Sequence, residues 1–298
     1  MVSVGHILEG AFGLIRERFT AVAIWAGVYL AASIATVLAV RPMAARMTDP
    51  ATASDPSALI GAMLPVYAMN LLLVLVGIVL YTAAMRAVLR PQAGGLGYLR
   101  LGGDELRMLV LAILFGIFGI VLGVGFAMLF ALVTAGAAAG SNSAGVTILV
   151  AFVGGLAVFV LFLFLTIRFS LAFPLTLHRR RLVIGEAWSL SRGRFWTLFG
   201  AALVVTLIGM VMWTIVATFA MGSYMADIVA ASGDPEAAAT LAERQLSSSG
   251  SLGTALIAQT VVSAIVGAIW FALSGGSAAT ATRLMLAEEF DDAETVFG

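Results

Sequence analysis

The chain has no cysteine and no lysine, only two histidines, and charge on only 11% of its 298 residues. Without cysteine there is no disulfide, no thiol nucleophile and no thiolate metal site, and the redox compartment stays open. With all 16 basic residues being arginine, any positive surface is built from planar, permanently charged guanidinium groups. His6 and His178 both lie outside the long apolar stretches, so no imidazole sits where a proton relay across a membrane would need one. The 16 acidic residues balance the arginines, and the total charge favours neither nucleic acid nor an acidic partner. Also missing are a G-x-S-x-G elbow, an H-E-x-x-H pair, a Walker-type G-K-[ST] and a carboxylate pair with acid–base spacing. Enzyme chemistry therefore has almost no residues to draw on, and the sequence names no cofactor or metal.

What the sequence has instead is uninterrupted apolar length. Residues 108 to 167, 60 in a row between Arg107 and Arg168, carry no charge. Four more charge-free runs flank them: Phe19 to Val40, Pro56 to Met85, Phe195 to Ala226 and Gln245 to Thr282. A helix needs about 20 residues to cross the hydrocarbon core, so the long run counts as two spans and the total is six. The predicted fold is all-α, a polytopic integral membrane protein forming one domain over residues 1–298. The first run follows a mixed-charge leader and is too long for a signal core, so it is read as retained.

Arginine placement gives the orientation. Thirteen arginines, including Arg18, Arg86, Arg90, Arg107, Arg168, Arg180, Arg192 and Arg194, fall on one side of the six runs. Only Arg41, Arg46 and Arg244 fall on the other. Positive residues collect on the cytoplasmic side, so both termini are predicted cytoplasmic, in a bacterial inner membrane.

The chain also repeats. Ala11 to Phe19 and Ala187 to Phe195 share the pattern A-[FW]-x-L-x-R-x-R-F, and Leu99 to Arg107 occupies the equivalent place between them. Arg18, Arg107 and Arg194 open the odd spans at separations of 89 and 87 residues, and R-x-x-L closes each even span at Arg86, Arg168 and Arg283. The inference is three copies of one module, an amphipathic interfacial helix followed by a two-span hairpin, at about 1–90, 91–175 and 176–290. A short acidic tail, 288–298, follows. In the first helix Ile7, Ala11, Leu14 and Ile15 recur at helical spacing, away from His6, Glu9, Arg16 and Glu17. Two readings fit these helices: they cap the cytoplasmic ends of the bundle with arginines snorkelling, or they form a platform where Arg18, Arg107, Arg168, Arg180, Arg192 and Arg194 grip headgroup phosphates or a partner.

Asp55-Pro56 reads as an N-cap with proline opening the second span, and Asp234-Pro235-Glu236 as the same device in outer loop 232–253. Gly140 to Gly145 reads as a tight outer turn. Asn70 is the strongest polar group at membrane depth, expected to make an interhelical hydrogen bond or, in the sharper reading, to line a substrate path. Gly119-x-x-x-Gly123 and Gly154-Gly155 suggest close helix packing. Asp104 and Glu105 suit a helix N-terminus, and Glu186 an ion pair with neighbouring arginines.

Arg168-Phe169-Ser170-Leu171-Ala172-Phe173-Pro174, with Glu186-Ala187 through Ser191, Gly193 and Phe195-Trp196, resembles the R-x-S-L-A-x-P and E-A-x-x-x-S-x-G-x-F-W stretches of bacterial membrane proteins grouped with the membrane domain of glycerophosphoryl diester phosphodiesterase. Where that domain is fused to a phosphodiesterase, catalysis belongs to a soluble barrel whose histidine and acidic motifs are missing here. The resemblance implies a membrane module without hydrolase activity. The expected role is a non-enzymatic scaffold or accessory module contacting membrane lipids or a protein partner through its arginine face. Nucleic acid is not an expected partner, and self-association stays open. The alternative is a transporter or flippase for a small amphiphile.

Overall fold

The computed structural model describes residues 2–47, 56–140, 144–231 and 254–297. Among the described residues all regular structure is helical: α1 (Val4–Glu17), α2 (Phe19–Met47), α3 (Pro56–Leu89), α4 (Gly103–Gly140), α5 (Ala144–Phe169), α6 (Ala172–Arg179), α7 (Ile184–Leu190), α8 (Phe195–Ala231) and α9 (Thr254–Phe297), with two 3₁₀ turns at Pro91–Ala93 and Leu96–Tyr98. Helices α2, α3, α4, α5, α8 and α9 are long and apolar enough to cross a bilayer, so the chain is a multi-pass all-α membrane protein. The caps at Asp55 and Asp234, the turn at 141–143 and the outer loop 232–253 lie outside the described residues.

Helix α9 is the hub. It packs along α3, α2, α1 and α8, while α4 and α5 pair chiefly with each other. The reason lies in the small residues Ser274-Gly275-Gly276-Ser277. A Cβ on Gly275 would sit 2.9 Å from Ala84 Cβ, and one on Gly276 3.1 Å from Leu14 Cδ2. Glycine at those two positions lets α3 and α1 approach α9 more closely than a Cβ would allow without the neighbouring atoms shifting. A Cβ on Gly209 would strike the Trp270 ring, which fixes how close α8 comes. By contrast a Cβ on Gly119 or Gly123 would meet nothing within 4 Å, so the glycine pair that the sequence suggests for packing has no partner helix among the described residues.

Burial is uneven along the long helices. The four apolar clusters draw on the arginine-bearing ends of the helices, with Ile7, Ala11, Leu14, Trp25, Leu80, Met85, Met108, Leu111, Leu171 and Met285 all enclosed. The far halves of α4 and α5, including Leu132, Leu149, Phe152 and Phe159, are exposed. Lipid supplies no hydrophobic drive for helix association, so an apolar surface left unpacked here costs little.

Two expectations change. The apolar stripe of α1 is turned into protein, against α9 and α8, rather than laid on the acyl region. In the second unit, Leu99 to Arg107 is not a separate interfacial helix. Leu99–Gly102 are non-helical and Gly103 begins α4. Pro91 and the positive-φ glycines Gly94, Gly95 and Gly97 break any helix before it can form.

Candidate functional site

The arginine-bearing end contains one closed network and one open rim. The network is built on the loop between α3 and α4. Arg86, 2% exposed in the last turn of α3, donates Nη1–H to the Tyr98 carbonyl at 2.6 Å and Nη2–H to Glu105 Oε1, with Asp104 Oδ2 at 3.9 Å. One turn later Arg90 pairs with Asp104 Oδ2 at 3.0 Å and donates to the Leu177 carbonyl at the end of α6. Arg107 reaches back to Asp104 Oδ1 at 2.9 Å. Glu105 Oε2 also accepts the Gly102 amide at 3.0 Å, satisfying a donor at the α4 N-terminus. A buried ion pair persists when further hydrogen bonds compensate its desolvation, and here the Tyr98 carbonyl and the Gly102 amide supply two of them.

The same loop is held from its other side. Trp25 Nε1–H donates to the Gly97 carbonyl at 2.7 Å in a buried contact. Gly97 has φ of +61°, and a Cβ there would lie 3.3 Å from Trp25 Nε1. Tyr98, with φ of +60°, is a left-handed non-glycine residue. Its conformation is fixed by three contacts: its carbonyl accepts from Arg86, its hydroxyl donates to the Pro91 carbonyl at 3.3 Å, and Arg18 lies 5.8 Å over its ring.

The sequence-predicted arginines divide accordingly. Arg107 is spent on Asp104, and Arg194 on Glu288 at 2.8 Å. Arg18 stacks on Tyr98. Arg168 is held between two rings, 4.9 Å over Trp188 and 5.4 Å over Phe164, with Nη1–H donating to Ser191 Oγ at 3.2 Å. Among the described residues no carboxylate pairs with it, and its Nε is buried without a hydrogen-bond partner. Arg180, at the left-handed C-cap of α6, and Arg192 are both exposed, and neither has an ion pair among the described residues. Glu186 joins Arg179 at 3.4 Å and Arg181 at 3.3 Å. Arg179, Arg192, Arg194, Glu186 and Glu289 line a polar cleft of about 480 Å³ on this face.

Arg86 and Arg90 were missed as site residues by sequence reasoning, which read them only as the close of the second span. The signal was present: two arginines one turn apart, then Asp104-Glu105 after a glycine-rich stretch. Asn70 lies apart from the rim. It is exposed and donates Nδ2–H to the Val66 carbonyl of its own helix at 2.9 Å, and among the described residues no hydrogen bond to another helix accompanies it. Among the described residues no three His, Asp or Glu side chains come together as a metal-ligand set.

Comparison with protein-family models, with curated proteins and with solved structures finds no match to this chain.

Proposed function

We propose that this protein is a non-enzymatic accessory or scaffold module of a bacterial inner membrane. Its termini are cytoplasmic, and its arginine rim engages anionic lipid headgroups or the acidic surface of a protein partner. The observation that carries this reading is the division of the arginines. Arg86, Arg90, Arg107 and Arg194 are used up in holding the fold, whereas Arg180 and Arg192 stand exposed, and Arg168 has aromatic neighbours but no carboxylate among the described residues. Unpaired guanidinium groups at the cytoplasmic headgroup level are drawn to phosphate by charge and by bidentate geometry. A threefold repeat of the two-span hairpin, with the preceding short helix in the first and third units only, and the kinship with membrane domains associated with glycerophosphoryl diester phosphodiesterase belong to the same proposal. Their support is the A-[FW]-x-L-x-R-x-R-F motif shared by those two units, the R-x-x-L at the close of each even span, and the Arg168–Trp196 stretch.

The test uses nanodiscs containing spin-labelled phosphatidylglycerol or phosphatidylcholine. The wild-type chain should hold back the anionic probe preferentially, and Arg180→Gln with Arg192→Gln should reduce that preference several-fold. An unchanged preference removes lipid engagement by this rim. A flippase for a small amphiphile is the second reading, favoured by a lateral apolar slot between α4, α5, α8 and α9. A liposome assay with fluorescent phospholipid that finds no translocation excludes it.

A further inference from the structure

The lateral slot has unlike walls. On one side are aromatic rings from α4, α5 and α6: Phe115 and Phe169 with centroids 5.6 Å apart, Phe115 and Phe173 at 5.7 Å, Phe118 and Phe169 at 6.5 Å. From α8 and α9 come the small residues Ala201, Ala202, Ser277, Ala278 and Ala281, together with Leu198, Val205 and the Trp270 ring. The space between is about 470 Å³, within the range of about 300–1,000 Å³ common for ligand sites. It runs from the exposed residues Phe118, Phe162 and Thr206 on the side of the bundle to the enclosed Ile7, Leu171 and Leu198.

No charged side chain lines the slot, and three of its hydroxyls are spent on their own helices. Ser170 Oγ donates to the Ile167 carbonyl at 2.8 Å, Ser274 Oγ to Trp270 at 2.7 Å, and Ser277 Oγ to Ser274 at 3.0 Å. Tyr81, Thr166, Thr206 and the Trp270 indole add a few polar groups, but the lining is predominantly apolar. Left empty, its lining would forfeit dispersion contacts on one side. The occupant must be apolar, narrow enough to lie between rings and methyl groups, and present in the bilayer beside the opening.

We infer that the slot between α4, α5, α8 and α9 binds one acyl chain of a membrane phospholipid, entering sideways from the bilayer. This inference needs the chain to be embedded in a membrane, but it does not need the arginine rim to recognise headgroups. Zwitterionic phosphatidylcholine therefore serves as the probe.

The full chain is reconstituted in phosphatidylcholine whose sn-2 chain carries a diazirine, irradiated, digested, and its adducts mapped by mass spectrometry. Adducts at Phe118, Leu122 and Ala202 should exceed those at Leu149 and Phe152, on the exposed half of α5, several-fold. Gly119→Phe projects a ring into the slot from a position with open space around it. Thr206→Phe fills it from the opposite wall. Each should abolish the excess at the slot while adducts at Leu149 and Phe152 persist, which also reports that the variant is still inserted. Equal labelling of slot and outer surface in the wild-type chain overturns the inference. So does an excess that survives both filling variants.

Discussion

Arg86 and Glu105, 19 residues apart in the chain, form an ion pair in which the residues are only 2% and 7% exposed. Removing Glu105 leaves Arg86 buried and charged, with only Asp104 Oδ2 at 3.9 Å as a counter-charge. Glu105→Ala should therefore destabilise the protein by about 3–5 kcal/mol, the usual cost of a broken buried pair. Arg86→Met combined with Glu105→Leu should lie much closer to wild type. Unfolding midpoints in nanodiscs check both variants, and a Glu105→Ala midpoint equal to wild type refutes the assignment.

Trp25 and Gly97 give a second, independent hold on the same loop. Trp25→Phe keeps an aromatic ring but deletes the donor to the Gly97 carbonyl, leaving a buried acceptor unmet at about 1–3 kcal/mol, with a further loss from the smaller ring. Hydrogen exchange should rise across residues 91–102 and remain unchanged in α8. Uniform exchange across the chain would mean that the bond has no local role.

The glycines offer a contrast of sign. Gly276→Leu would drive a side chain into Leu14 and Ala11, and should cost about 1–3 kcal/mol through overpacking. Gly119→Ala and Gly123→Ala meet open space and remove backbone freedom from a helix, so they should be neutral or stabilising by up to about 1 kcal/mol. Thermal midpoints of the three variants decide the matter. A destabilised Gly123→Ala would reveal a contact outside this chain.

Arg168 depends on Trp188 through its ring face. Arg168→Lys keeps the charge but loses the planar stack, and Arg168→Gln loses both. Trp188 emission, read in a background where the other four tryptophans are replaced, should shift in both variants and more in the glutamine one. Identical spectra would show that the stack is absent in the membrane.

Topology is testable because the chain has no native cysteine. Single cysteines at Asn142 and Arg180 should be labelled by an impermeant maleimide from opposite sides of the membrane. Labelling from one side would overturn the six-span orientation and the cytoplasmic assignment of the rim.

Much of the fold was legible because the bilayer imposes a length rule that a single chain must obey: charge-free runs beyond about 20 residues read directly as spans. The arginine-rich end was legible for a similar reason, since charge is tolerated only near the interface. What pairs with what was not legible. Asp104 serves Arg86, Arg90 and Arg107 together because the loop through Gly97 and Tyr98 folds α4 back against α3. Linear order gives no sign of that return. Asn70 went to its own helix because an i−4 carbonyl lies within reach regardless of neighbours.

The sequence by itself determined the solvent, the number of crossings and the end of the bundle that carries the guanidinium groups, because hydration cost acts residue by residue. Only the tertiary structure decided which arginines are spent and which remain available. It also decided which glycines face a neighbouring helix and where a cavity stays open. Those outcomes depend on packing between segments far apart in the chain, where one missing Cβ at Gly276 counts for more than the whole Gly119-x-x-x-Gly123 pattern.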